Sequence, residues 1–260
     1  MTIMNILKTK KATGTLAESF VGSKNISGDK CYIRSATLIG FDSFVIAKGF
    51  DPVSVMVASG IPCMARSNPD ALISFRAYSR LLETAARSYS LPNLGLEWAE
   101  ALAPRFPSLS PILLLAYFSQ NVQEWLAHIG GYMTYYCNAF EMNIAVDAEN
   151  DLVTLRYDFF GPVLVSRQLM EHKMAVAVMM MRQVTGQHDK SPVCVRFRHG
   201  EPVDTSRHRK VFGCPLEFSC NHNEIVFEAK YLQLPTDRDV RNFRPLVDSF
   251  LRQRLESTRN

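Results

Sequence analysis

An α+β fold is what the order of patterns along this chain predicts: a helical N-terminal half followed by a mostly antiparallel sheet packed on one long helix. Three observations carry that reading. Up to about residue 137, apolar residues recur at helical spacing. From residue 138 they alternate in short runs, as strands do. Between those runs lies one long stripe, Val165–Thr185, with apolar residues at 165, 169, 170, 174, 177, 178, 181 and 184. Helices gathered first and strands second indicate α+β rather than a doubly wound sheet.

The bulk properties fit a globular protein. The 260 residues are 47% hydrophobic and 21% charged, which is ordinary for a chain that builds its own core. A net charge of +4 is too small and too diffuse to imply nucleic acid. The six cysteines are scattered, with no CxxC pair, so reduced thiols in a cytoplasmic protein are the simplest reading. The apolar runs are too short or too interrupted to span a bilayer, and the start lacks a secretion signal.

Taken in order, residues 1–30 read as a flexible arm, with Gly14, Gly22 and Gly28 among Ser, Thr and Lys. A single domain is expected over 31–260, helical over 31–137 and strand-rich over 138–260. Arg34–Lys48 predicts a helix with Ala36, Leu38, Ile39, Phe44, Val45 and Ile46 inward, ended by Gly49. Asp51-Pro52 predicts a helix start, with Asp51 as the cap and Pro52 in the first turn. Leu72, Phe75, Tyr78, Leu82, Ala85 and Tyr89 form a further stripe. Asn93–Ala103 is another helix, and Pro111–Phe118 a short buried one. Asn121–Tyr136 carries Val122, Trp125, Leu126, Ile129 and Met133 on one side. Its Gly130-Gly131 pair costs about 2 kcal/mol of propensity and implies close packing or a kink.

Phe140–Val146 and Leu152–Tyr157 alternate around an Asp147–Asp151 turn and predict a hairpin. Gly161-Pro162 breaks the chain before the long helix, whose polar side is Ser166, Arg167, Glu171, Lys173 and Arg182 and whose stop is Gly186. Val193–Phe197 is a third strand. Pro215–Phe218 and Glu224–Phe227 are expected to pair as a second hairpin, and Asp239–Leu255 to close the chain as an amphipathic helix. The last helix mixes Arg238, Arg241, Arg244, Arg252 and Arg254 with acids, which suits a subunit contact better than phosphate tracking.

Three segments then resemble the N-terminal arabinose-binding-like domain of AraC-type transcription regulators. They are Asp70–Arg76, Val195–Pro202 and Phe212-Gly213-Cys214-Pro215 with Phe218, Asn223 and Phe227 downstream. The resemblance spans about 31 to 255. It implies an effector-sensing and dimerisation domain, a homodimer whose partner is a small molecule, and a protein that is not an enzyme. It also implies contact with DNA only through a C-terminal region of paired helix-turn-helix units, which the sequence up to Asn260 does not contain. A ligand-free structural dimerisation module is the alternative.

Candidate binding residues follow from helix faces. Trp125, Ile129, Tyr132 and Tyr136 on one side, with Met174, Val178 and Met181 on the other, outline a pocket for an apolar or amphipathic ligand. An arginine, Arg34 or Arg196, would meet a carboxylate. The plainer reading of the methionine-rich helix, with Met179 and Met180, is a core helix filling gaps. Cys214, Cys220, His199 and His222 are spaced too widely and on too many faces for zinc. His128 and His172 read as surface histidines without a haem motif, and Arg207–Lys210 as a solvated helical turn. No nucleophile elbow, P-loop or GxGxxG is present, and neither cofactor nor metal is expected.

Overall fold

The computed structural model describes residues 30–104, 118–161 and 165–236. The expected N-terminal arm, the short helix over 111–118 and the closing helix over 239–255 lie outside these, Lys30 and Phe118 excepted.

Strand β1 (Tyr32–Arg34) opens the described chain and leads into a 3-10 turn over Ser35–Leu38. Gly40 then takes a positive φ of 79° and redirects the chain before α1 (Phe41–Ala47). The single helix expected over 34–48 is therefore a strand, a turn and a short helix. Its predicted inward stripe fails at Ile46, which is exposed. Helix α2 (Pro52–Ser59) begins as the sequence indicates: the Asp51 carboxylate accepts from the Val53 and Ser54 amides.

Strand β2 (Leu72–Ser74) pairs antiparallel with β1, placing buried Ile73 opposite buried Ile33. Leu72 thus belongs to a strand and is exposed, not part of the helical stripe. The stripe proper starts one turn later, in α3 (Phe75–Ser88), where Phe75, Tyr78, Leu82 and Ala85 are fully buried. Helix α4 (Leu94–Leu102) follows, then α5 (Val122–Tyr136), capped by the Asn121 side chain on the Glu124 amide. The helix runs through Gly130-Gly131, and a Cβ at either would meet nothing within 4 Å, so close packing does not explain the pair.

Strands β3 (Phe140–Asp147) and β4 (Leu152–Phe159) form the predicted hairpin. Asp147 organises its turn by accepting from the Glu149 and Asn150 amides. Helix α6 (Arg167–Thr185) is the long central helix, ended by Gly186 at φ 65°. Ser166 caps it, and its amide and hydroxyl also donate to the hydroxyl and carbonyl of Ser79 on α3, at 3.0 Å each. Helix α6 packs along α3 and α4 on one side.

Strand β5 (Cys194–Arg196), helix α7 (Ser206–Phe212), β6 (Leu216–Glu217) and β7 (Asn223–Glu228) complete the described fold. The sheet order is β3-β4-β7-β5-β6, antiparallel except for the β5–β6 pair. The expected second hairpin is corrected here: β5 lies between β6 and β7. The Val195 and Phe197 amides donate to the Pro215 and Glu217 carbonyls, so β6 is held as a parallel edge.

The polar side read for α6 is not a solvated face. Ser166 and Glu171 are buried. Arg182 donates to the carbonyls of Lys190, Val211 and Phe212 at 2.7–3.0 Å, closing the C-terminal end of α7. A long charged side chain that satisfies several carbonyls in this way stays inside without an ion pair. Helix α6 is therefore enclosed on all sides, which explains why its apolar stripe is so broad.

Candidate functional site

Between α5, α6 and the inner face of the β3–β4 hairpin lies a cavity of about 220 Å³. Each wall follows from the periodicity of its element. On α5 the lining residues are Trp125, Leu126, Ile129, Met133 and Tyr136, one helical face. On α6 they fall in two adjacent rows of i, i+4 spacing, His172–Val176–Met180 and Lys173–Ala177–Met181. On the hairpin they are Phe140, Met142, Leu155 and Tyr157; the register puts Met142 opposite Tyr157, so all four share a face. Tyr78, Leu102 and the turn residues Ala36, Thr37 and Ile39 close the ends.

The residues named from the sequence are distributed as follows. Trp125, Ile129, Tyr136 and Met181 line the cavity. Met174 and Val178 are buried on a different face of α6 and do not line it. Tyr132 is 55% exposed on the outer face of α5. Arg196 is committed to Glu217 at 2.9 Å and Glu224 at 3.2 Å at the sheet edge. Arg34 is equally occupied: it donates to the Tyr135 and Asp70 carbonyls and lies over the Tyr135 ring. Met174 and Val178 sit one row off because the whole stripe of α6 is apolar, and spacing alone does not say which part of it faces open space.

Of the polar groups around the cavity, the sequence singled out Tyr136 but not Tyr78, Tyr157, His172 or Lys173 as binding candidates. Burial pushes the Tyr136 hydroxyl up to about 12 and raises Tyr78 and Tyr157 further. His172, expected on the surface, is buried. It stacks on Trp98 with ring centroids 4.1 Å apart, and its Nδ1 lies 3.1 Å from the Gly95 carbonyl. Burial drives its pKa down to about 3, against the hydrogen bond to Gly95. Lys173 is lowered to about 8 by burial, and its ammonium lies 4.7 Å from the Phe140 ring centre. Lys173 leads the row Lys173–Ala177–Met181 along the cavity wall.

His172 supplies a pH test. The unfolded imidazole, with a pKa near 6.5, takes up a proton that the folded protein refuses down to about 3. Stability should be intact above the unfolded pKa and fall as the pH drops through this window, with a slope approaching about 1.4 kcal/mol per pH unit. Urea unfolding between pH 7 and 4.5 should show the wild type losing more stability than His172→Phe. Parallel curves would rule out this source of acid sensitivity.

A second polar cluster lies on the opposite side of α6. Glu171 is fully buried, with Oε1 2.7 Å from His208 Nε2 on α7, 3.3 Å from Arg167 and 3.6 Å from His199. The Arg207–Lys210 segment is thus more than a solvated turn: His208 is buried, and Arg207 pairs with Glu100 of α4 at 2.6 Å. The nearby aromatic group unites the motif residues: Phe197 stacks on Phe218 at 5.5 Å and meets Phe212 edge-on at 5.7 Å. Asn223, also of the motif, accepts from the Arg198 amide at 3.0 Å. Among the described residues, no three His, Cys, Asp or Glu side chains converge to hold a metal ion. No helix among them is long and apolar enough to cross a membrane.

The arabinose-binding domain that stands at the N-terminus of AraC transcription regulators matches residues 49–236, and the chain belongs to this family. The HTH-type transcriptional regulator VirS of Mycobacterium tuberculosis is 25% identical over 187 residues, in both the CDC 1551 and H37Rv strains. That alignment covers 72% of this chain and 54% of VirS, so the chain spans about half the length of the curated relatives it matches. The crystal structure of the transcriptional regulator CdpR from Pseudomonas aeruginosa aligns with a TM-score of 0.49 and 16% identity, over 78% of this chain and 70% of that one.

Proposed function

We propose that this domain senses a small apolar or amphipathic molecule held in the α5–α6–hairpin cavity, and that occupancy biases an attached DNA-binding region in a cytoplasmic AraC-type regulator. The observation that carries the reading is that α5 both walls the cavity and holds the outgoing chain. The Val122 amide donates to the Leu234 carbonyl at 3.1 Å, Asn121 bridges to Pro235, and the Thr236 hydroxyl donates to the Ser119 carbonyl at 2.5 Å. A ligand that favours one position of α5 therefore shifts the segment that leads onward. Such a shift needs only differential affinity for two arrangements. Homodimerisation is part of the same proposal, with sedimentation of the purified protein as its measurement. The reading contains no catalytic step.

The test is a thermal-shift screen with aliphatic and aromatic acids, alcohols, amino acids and sugars, alongside an Ala177→Phe variant that fills the cavity. A ligand at one hundred times its dissociation constant stabilises by about 2.7 kcal/mol. At least one class should raise the melting temperature of the wild type and leave the filled variant unmoved. Trp125 lines the cavity, so the same ligands should perturb tryptophan fluorescence. Silence across all classes, or an equal shift in Ala177→Phe, overturns the proposal.

A further inference from the structure

We propose that the cavity is built for an amphipathic monocarboxylate, with Lys173 as the point that receives its carboxylate. The inference rests on the sensing role proposed above and deepens it by naming the ligand class. The Lys173 ammonium borders this largely apolar space without an acceptor. The Lys173 ammonium faces only the Phe140 and Tyr78 rings, at 4.7 and 5.8 Å. No carboxylate among the described residues lies within ion-pairing distance of it, and the nearest titratable group acting on it is the neutral Cys137 thiol. Lys173 keeps some accessible surface although protein surrounds it, as a group facing a cavity does. The buried Tyr78 hydroxyl meets the Thr37 side chain, and the buried Trp125 indole N–H, further along the lining, finds no hydrogen-bond partner among the described residues.

Unmatched buried donors are costly, and a buried ammonium more so. A carboxylate answers the Lys173 ammonium, because it offers acceptors only and carries the opposite charge. The remaining walls are aliphatic, aromatic or thioether and suit a hydrocarbon body. The two arginines that could have served instead, Arg34 and Arg196, are already paired. The position of Lys173 mid-helix, opposite the hairpin, sets the carboxylate at the inner end of the cavity beside Tyr78 and Phe140, with the body running along Val176, Ala177 and Met180.

The proposal also fixes a pH dependence. The groups that face Lys173 are Tyr78 on α3, Tyr136 and Cys137 at the end of α5, Tyr157 on β4 and His172 on α6 itself. Burial raises the tyrosines and Cys137 and lowers His172, so all stay neutral from pH 6 to about 8, where Lys173 alone titrates. Carboxylate affinity should be constant below about 8 and fall as the pH rises beyond it, whereas a neutral ligand should show no such fall.

The experiment titrates the protein with octanoate and 4-phenylbutanoate and with the corresponding alcohols, following tryptophan fluorescence and melting temperature. Wild type, Lys173→Met and Lys173→Arg are compared, each checked for folding by circular dichroism. The expected result is that the acids bind wild type about tenfold or more tightly than the alcohols. Lys173→Met should abolish that preference while keeping alcohol binding, and Lys173→Arg should retain it. Equal binding of acids and alcohols, or an acid preference that survives in Lys173→Met, overturns the carboxylate assignment and leaves the sensing role standing. Binding of neither series overturns the carboxylate assignment, and the sensing role with it when the other classes of the thermal-shift screen are silent too.

Discussion

Replacing Gly95 by alanine is expected to lower the stability of the protein by about 3 kcal/mol or more, although alanine is the better helix former by about 1 kcal/mol. Gly95 lies in the first turn of α4, where that helix crosses the start of α6. A Cβ there would overlap the Gln168 carbonyl oxygen, which is backbone and cannot rotate away. The same crossing is tied by polar contacts that a shift would break. The Gly95 amide donates to Gln168 Oε1 at 2.7 Å, Gln168 Nε2 donates to the Pro92 carbonyl at 2.7 Å, and Arg167 donates to that carbonyl as well. His172 meets the Gly95 carbonyl one turn further on, so displacement of α4 would reach the cavity wall. The control is Gly131→Ala on α5, where added atoms meet nothing within 4 Å. That substitution should stabilise by up to about 1 kcal/mol. Urea titration of both variants measures the contrast, and a Gly95→Ala protein as stable as the wild type would disprove the close approach.

The two glycine sites show where the sequence stops being legible. Sequence reasoning passes over Gly95 and takes Gly130-Gly131 as close packing or a kink, and nothing local separates the glycine that admits another backbone from the one that faces open space. Features set by neighbours in sequence were readable: the Asp51 cap, the Gly186 stop, the α3 stripe and the β3–β4 hairpin all depend on residues a few positions apart. Features set by distant partners were not. Strands β1 and β2 are three residues each, too short to show an alternation, and exist because Ile33 and Ile73 are buried together. The insertion of β5 between β6 and β7 is a matter of which edges meet, and the composition of the strands carries no trace of it. In the candidate site the aromatic and apolar lining on α5 could be read from its face. The lysine could not, because a charged residue on a helix is ordinarily solvated. Glu171 and Lys173 were placed together on a polar side, yet they are buried on different sides of α6. Glu171 meets the α7 cluster, and Lys173 meets the cavity.

Glu171 therefore carries the second large expected effect. Its carboxylate joins three segments: α6 through Arg167, α7 through His208, and the β5–α7 connection through His199. Because a carboxylate only accepts, the proton in the 2.7 Å contact sits on His208 Nε2, and His208 is buried with no other partner for that nitrogen. Glu171→Leu should cost about 3–5 kcal/mol, since it leaves the facing histidine and arginine desolvated and unanswered. Arg167 can swing partly to solvent, but His208 cannot, enclosed as it is by Phe197 and Phe218. The double variant Glu171→Leu, His208→Phe removes both sides of the contact and fills the space with apolar atoms. It should recover a substantial part of the loss, because a buried pair replaced whole is often close to neutral. Chemical denaturation of the two single variants and the double variant closes the cycle. Additive losses would mean that Glu171 and His208 act separately. Recovery would show that the motif residues Phe197, Phe212 and Phe218 form the apolar shell of one buried polar contact that fastens α7 and the sheet edge to α6.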